Sequence, residues 1–205
     1  MDVTIVDCGI GNVKSVLRMF EAVDAEAVLV SEPSAAMDAR RLVLPGVGAF
    51  DAGMRALDRG WREVLDKLAL ERRIPILGIC LGMQLLCRRS EEGGTEGLGW
   101  IAADVTRIDT GGDPRLKIPH MGWALVRPVR NNALVPTGEG EQRFYHVHTY
   151  RVVCDDPNDE VATVTYGHPF TTAVQRDNVY GVQFHPEKSH KFGMALMRRF
   201  ASLPC

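Results

Sequence analysis

The chain has 205 residues, 45% of them hydrophobic, and 24 basic against 26 acidic side chains leave a formal charge of −2. That length can bury a sizeable core and suits a single domain over 1–205, while the near-balance of charge excludes a general basic surface for nucleic acid or membrane. No apolar run approaches membrane-spanning length, and the start, M-D-V-T-I-V-D, has an acid at position 2 and no basic flank, unlike a signal peptide.

V-T-I-V-D (3–7) is a β-branched run that predicts a first strand, closed by the turn residues G-I-G-N. Val13, Val16, Leu17, Phe20 and Val23 then recur at helical spacing. A-V-L-V (27–30) and R-L-V-L-P (41–45) read as the next strands, followed by a loop, G-V-G-A-F, and two helical stretches over 51–72. I-P-I-L-G-I (74–79) is a further buried strand, 82–90 a helix and 90–98 a surface loop. Apolar runs alternating with helices predict a mostly parallel sheet with helices on both faces, an α/β fold of three layers. Beyond residue 98 short strands follow one another with few helices, from W-I-A-A-D-V-T-R-I to V-Y-G-V-Q-F, which predicts antiparallel additions to that sheet. The last helix begins near Ser189 and presents Phe192, Leu196, Phe200 and Leu203 as one stripe.

The five cysteines, Cys8, Cys80, Cys87, Cys154 and Cys205, are odd in number and form no C-x-x-C pair, which points to reduced thiols in the cytoplasm rather than a disulfide or zinc framework. Cys80 stands apart. G-I-C-L-G (78–82) falls where an apolar strand becomes a helix. On so tight a turn the flanking residues must be small, the side chain is pushed out above the sheet, and the helix N-terminus favours a thiolate. The N–H of Leu81, next after the sulfur, is placed to donate to an oxyanion. The plain alternative is a buried cysteine beside packing glycines.

A nucleophilic cysteine needs a base. Of the six histidines, His185 has a well-placed partner: V-Y-G-V-Q-F runs as a strand into His185-Pro186-Glu187. In an extended chain residues two apart point the same way, so Glu187 is expected to reach the imidazole and fix its tautomer. A lone H-x-E also opens zinc-deaminase signatures, but no P-C-x-x-C follows.

Taken together, G-I-C-L-G-M-Q (78–84), Q-F-H-P-E-K-S (183–189), G-I-G-N (9–12), L-P-G-V-G-A-F (44–50), I-P-H-M-G-W (118–123) and V-H-T-Y (147–150) resemble the class I, triad-type glutamine amidotransferases, and among them the glutaminase subunits of imidazole glycerol phosphate synthase. The blocks run nearly the whole length of the chain, and their combination is specific where each alone is not. The resemblance implies the class I glutamine amidotransferase fold, flavodoxin-like in its layering. It implies that Cys80 attacks the carboxamide of L-glutamine, with His185 and Glu187 completing the triad. Gly46, Val47 and Gly48 would form an oxyanion strand with a peptide flip near Val47, while Gln84, His148, Thr149 and Tyr150 would hold glutamine. Ammonia would pass to a (β/α)8-barrel synthase subunit bound through Asn12, His120, Met121, Trp123 and Lys188, with no cofactor, metal, nucleic acid or membrane involved.

Other readings remain at this stage. Gly9 and Gly11 lack the third glycine of a dinucleotide fingerprint, and Asn12 could simply cap the following helix. His146 and His148 share a strand face without an apparent third metal ligand, which favours packing or substrate-side hydrogen bonds. Cys8, Ala124, Thr149 and His146 depart from the usual pattern of those relatives, so a paralogous glutaminase feeding a barrel that aminates a sugar is the alternative. A stand-alone cysteine hydrolase and a silent binding module are the competing classes, opposed respectively by Gln84 with P-G-V-G and by the intact Cys80, His185 and Glu187.

Overall fold

The structure is a computed structural model that describes residues 3–204. The acidic second residue and the fifth thiol, Cys205, lie outside the described residues. In chain order the elements are β1 (Val3–Val6), α1 (Val13–Glu21), β2 (Ala27–Val30), β3 (Leu42–Gly46), α2 (Phe50–Leu57), α3 (Trp61–Asp66), β4 (Ile76–Cys80), α4 (Leu81–Leu85), β5 (Arg89–Ser90), β6 (Ala103–Arg107), β7 (His120–Pro128), β8 (Gln142–His148), β9 (Tyr150–Cys154), β10 (Glu160–Tyr166), β11 (His168–Arg176), β12 (Val179–Val182) and α5 (His190–Ala201).

Strands β2-β1-β3-β4-β12 run parallel, and β11, β10, β7 and β8 continue the sheet antiparallel from β12. A side branch, β9-β6-β5, leaves from β11. The apolar runs are buried on both faces because helices cover both. Within β3, Leu42 and Leu44 join a cluster with Phe50, Met54 and Leu57 of α2 and Leu65 of α3, whereas Val43 joins Val16 and Phe20 of α1 with Leu196 and Phe200 of α5. This alternation is the period-2 signature of a strand sandwiched between two helical layers. Among the described residues no helix is long and apolar enough to cross a membrane.

Two expectations need correction and one holds. The helix expected over 82–90 ends at Leu85, and Arg89–Ser90 becomes a strand paired with Asp104 and Val105. The carbonyls that would continue the helix are taken by returning backbone: Leu98 N–H donates to Leu85 and Gly99 N–H to Cys87. The two helical stretches expected over 51–72 are present, separated at Gly60 with φ 90°, and the second ends in a π-helical turn, Lys67–Glu71. The strand expected to run through Phe184 stops at Val182.

Candidate active site

Cys80 ends β4 with φ 55° and ψ −109°, a conformation strained for a residue bearing a Cβ. Its neighbours explain the bracketing glycines. A Cβ on Gly82 would lie 1.9 Å from the Leu44 carbonyl oxygen, and one on Gly78 would lie 2.7 Å from Gly82 backbone. Gly46 faces Cys80 across the β3–β4 ladder, and a Cβ there would lie 2.8 Å from Gly82 N. Three glycines therefore let α4 start directly against two strands, which holds the sulfur at the sheet's C-terminal edge with the Leu81 amide beside it.

His185 follows β12, the strand adjacent to β4, so topology delivers it to the same edge. Its N–H donates to Tyr145 O at 2.9 Å, and Nδ1–H donates to Glu187 Oε1 at 2.7 Å. Glu187 does not arrive by extended chain, as the sequence reading expected. Pro186–Lys188 is a 3₁₀ turn, and the turn folds the carboxylate back under the ring. Ser189 locks that turn: its hydroxyl donates to His185 O at 2.6 Å and accepts Tyr145 N–H at 3.0 Å. The turn packs so tightly on α5 that a Cβ on Gly193 would lie 1.9 Å from Pro186 O. His185 is 2% exposed, and its Nε2 makes no hydrogen bond. Burial pushes the imidazolium down, but Cys80 first and Glu187 second outweigh it, raising the pKa to about 9.

A cavity of about 350 Å³ opens at this edge, lined by Cys80, Leu81, Gln84, His148, Thr149, Tyr150 and His185, with Val47, Gly48 and Lys188 at its walls. Gly46 lies beneath, buried in β3. The His148 tautomer is fixed by Nδ1–H donating to Tyr150 O at 2.7 Å, which leaves Nε2 as a buried acceptor without a partner. The Val47 N–H donates to Ile10 O rather than facing the cavity. Leu81, next after Cys80, lines the cavity, and the Val47 N–H could face it only if that peptide turned.

Two residues escaped the sequence reading. Gln183 is fully buried and donates from Nε2 to Cys80 Sγ at 3.7 Å while its Oε1 accepts from Gln84 at 3.0 Å. Its place inside Q-F-H-P-E was the available signal. Glu92 contributes a carboxylate to the cavity wall from the loop after β5, and nothing local distinguishes it from Glu91.

Of the expected partner-facing residues, Met121 is 62% exposed and Trp123 46%, Trp123 stacking on His190 at 5.6 Å. Lys188 sits over the Tyr145 ring at 5.7 Å and reaches the cavity. Asn12 is exposed and makes no capping hydrogen bond. His120 differs from the exposed segment expected: it is 4% exposed and sandwiched between Tyr166 and His146, because strand alternation turns it inward while Met121 turns out. His146 is equally buried, its Nδ1–H on Phe144 O and its Nε2 accepting from Thr172 Oγ1.

A parallel sheet between helical layers, with a cysteine elbow and a histidine–glutamate pair at one edge, defines a class of amide-cleaving enzymes. The profile of the family "Glutamine amidotransferase class-I" matches residues 4–202, and the chain belongs to that family. It is 46% identical to imidazole glycerol phosphate synthase subunit HisH 2 of Pseudomonas aeruginosa, over 98% of this chain and 99% of that one. A protein of the same name from Methanococcus maripaludis is 45% identical, over 97% and 98%. Among solved structures, a glutamine amidotransferase aligns with TM-score 0.75 and 16% identity over 99% of this chain and 100% of that one. PurLQS from Thermotoga maritima aligns with TM-score 0.72 and 19% identity over 97% and 96%. These two show the shared fold.

Proposed function

We propose that this chain is the glutaminase subunit of an imidazole glycerol phosphate synthase. Working as one cytoplasmic domain, it hydrolyses L-glutamine and hands ammonia to a (β/α)8-barrel synthase subunit in histidine biosynthesis. The observation that carries the reading is Cys80 on a strained elbow sharing one cavity with His185, whose other nitrogen is held by Glu187.

Cys80 attacks the side-chain carbonyl, and the oxyanion is met by Leu81 N–H. His185 gives its proton to the leaving amine, so ammonia departs and a glutamyl thioester remains. His185 then takes a proton from water as it attacks the thioester, and glutamate is released with the thiol restored. Glu92, the one carboxylate among the described cavity-lining residues, suits the α-ammonium of glutamine; Gln84 and the 148–150 segment suit its remaining polar groups. Met121 and Trp123 form the docking face with Asn12 and Lys188. His120 acts from behind that face. Ammonia in neutral water is mostly ammonium, which is no nucleophile, so a protected passage into the partner follows from the chemistry.

The test is Cys80→Ala in complex with the partner synthase. Glutamine-dependent synthesis should vanish and ammonia-dependent synthesis should persist. Loss of both, or retention of both, rejects the assignment. Synthesis of an amino sugar instead of imidazole glycerol phosphate would keep the glutaminase and replace the pathway.

A further inference from the structure

The loop after β5 and the start of α2 hold each other reciprocally. Ala49 gives α2 no side-chain cap, and Glu92 supplies one from a distance, its Oε2 accepting the Phe50 N–H at 2.8 Å. In return Asp51, in the first turn of α2, accepts Thr95 N–H on Oδ1 at 3.1 Å and Gly94 N–H on Oδ2 at 3.2 Å. Gly93 approaches so closely that a Cβ there would lie 1.9 Å from Asp51 Oδ1. The amides of Thr95 and then Gly94 hold the Asp51 carboxyl below its ordinary range. This clasp brackets Glu92, and α2 begins just after Val47 and Gly48 of the cavity wall.

We propose that Asp51 is a positioning residue for substrate binding: it fastens residues 93–95 so that Glu92 keeps one oxygen on Phe50 N–H and presents the other to the substrate's α-ammonium. The inference rests on the glutaminase reading and adds to it a residue outside the cavity. Two consequences follow. Asp51 governs affinity for molecules bearing the ammonium and leaves the reactivity of the Cys80 sulfur alone. Occupancy of Glu92 also stiffens the junction between the 46–48 strand and α2, because one carboxylate then joins ligand and helix.

The test compares two Cys80 reagents on the full chain. Diazo-oxo-norleucine carries the ammonium and carboxylate of glutamine; iodoacetamide carries neither. Asp51→Ala should weaken half-saturation by diazo-oxo-norleucine about tenfold, the scale of one charge-assisted hydrogen bond. Alkylation by iodoacetamide should stay within about twofold of the parent rate, since the elbow is untouched. Asp51→Asn, which keeps one acceptor oxygen, should fall between. Asp51→Ala combined with Glu92→Gln should be no worse than Glu92→Gln alone. Equal slowing of both reagents, no effect on either, or multiplying losses in the double variant overturns the proposal. With the partner synthase present, a parent chain that iodoacetamide labels at Cys80 and diazo-oxo-norleucine does not would sink the glutaminase reading itself, and the proposal with it.

Discussion

Glu187 sets the direction of His185, and Cys80 first with Glu187 second sets its basicity. With Nδ1–H on the carboxylate, Nε2 is the nitrogen left for Cys80 and, in the proposed mechanism, for the leaving amine. The folded pKa of about 9 lies above the ordinary value of 6.5. Charged imidazolium is therefore favoured in the fold: its contribution to stability is complete below the unfolded value and is lost as pH rises from there through about 9. An ¹⁵N titration of His185 should show that high midpoint, and Glu187→Gln should move it down. The same variant should lower glutamine turnover by about 10²- to 10⁴-fold, the range for losing the orienting acid of a triad; a smaller loss would leave Glu187 a packing role. Gln183→Leu probes the amide on the sulfur. It strips the Cys80 and Gln84 contacts together, and alkylation of Cys80 by iodoacetamide at one fixed pH should slow.

At the scale of elements, the elbow depends on α4 starting in contact with β3. Gly82→Ala forces a methyl into the Leu44 carbonyl and should cost about 3 kcal/mol or more, read as a lowered urea midpoint. Strands β7 and β8 carry the buried rings of His120, His146 and His148, packed against Tyr166 and Phe170. Burial holds His120 at about 4, His148 at about 3 and His146 well below the ordinary range. These are depressed values, so the neutral rings contribute stability above about pH 6.5 that drains as pH falls toward them. The urea midpoint should drop between about pH 7.5 and about pH 5, and His146→Phe should flatten that slope while preserving ring packing. What could be read from sequence follows the range of the interactions. The parallel strands and the Cys80 elbow were legible because apolar periodicity and turn glycines act locally. The end of α4 was not, since carbonyls of Leu85 and Cys87 are claimed by amides of Leu98 and Gly99. Gln183 and Glu92 were missed for the same reason: the bonds of Gln183 cross 99 and 103 residues, and that of Glu92 crosses 42. Glu187 was found through a wrong geometry, because both an extended chain and a tight turn bring residues two apart near one another.

For the molecule as a whole, the Val47 N–H bonded to Ile10 ties the cavity to the 9–12 segment that ends in Asn12. The isolated chain should hydrolyse glutamine slowly, and partner with bound ligand should raise turnover by at least about 10²-fold, the worth of one oxyanion donor. Full-rate hydrolysis by the isolated chain would count against a gated site. Trp123→Ala should weaken association with the partner about tenfold or more by titration calorimetry, as removal of a large aromatic anchor does.

The order in which the sheet is filled carries a further consequence. β12 lies between β4 and β11 in space yet comes after all other strands in the described chain. While a ribosome is still extending the polypeptide, the centre of the sheet stays open and two unpaired rims face each other across the gap. A product ending before residue 185 lacks His185 and Glu187, so on the glutaminase reading it can neither consume glutamine nor leak ammonia. Such a fragment is instead a client for chaperones and proteases, and commitment to function arrives only when the final central ribbon slides in.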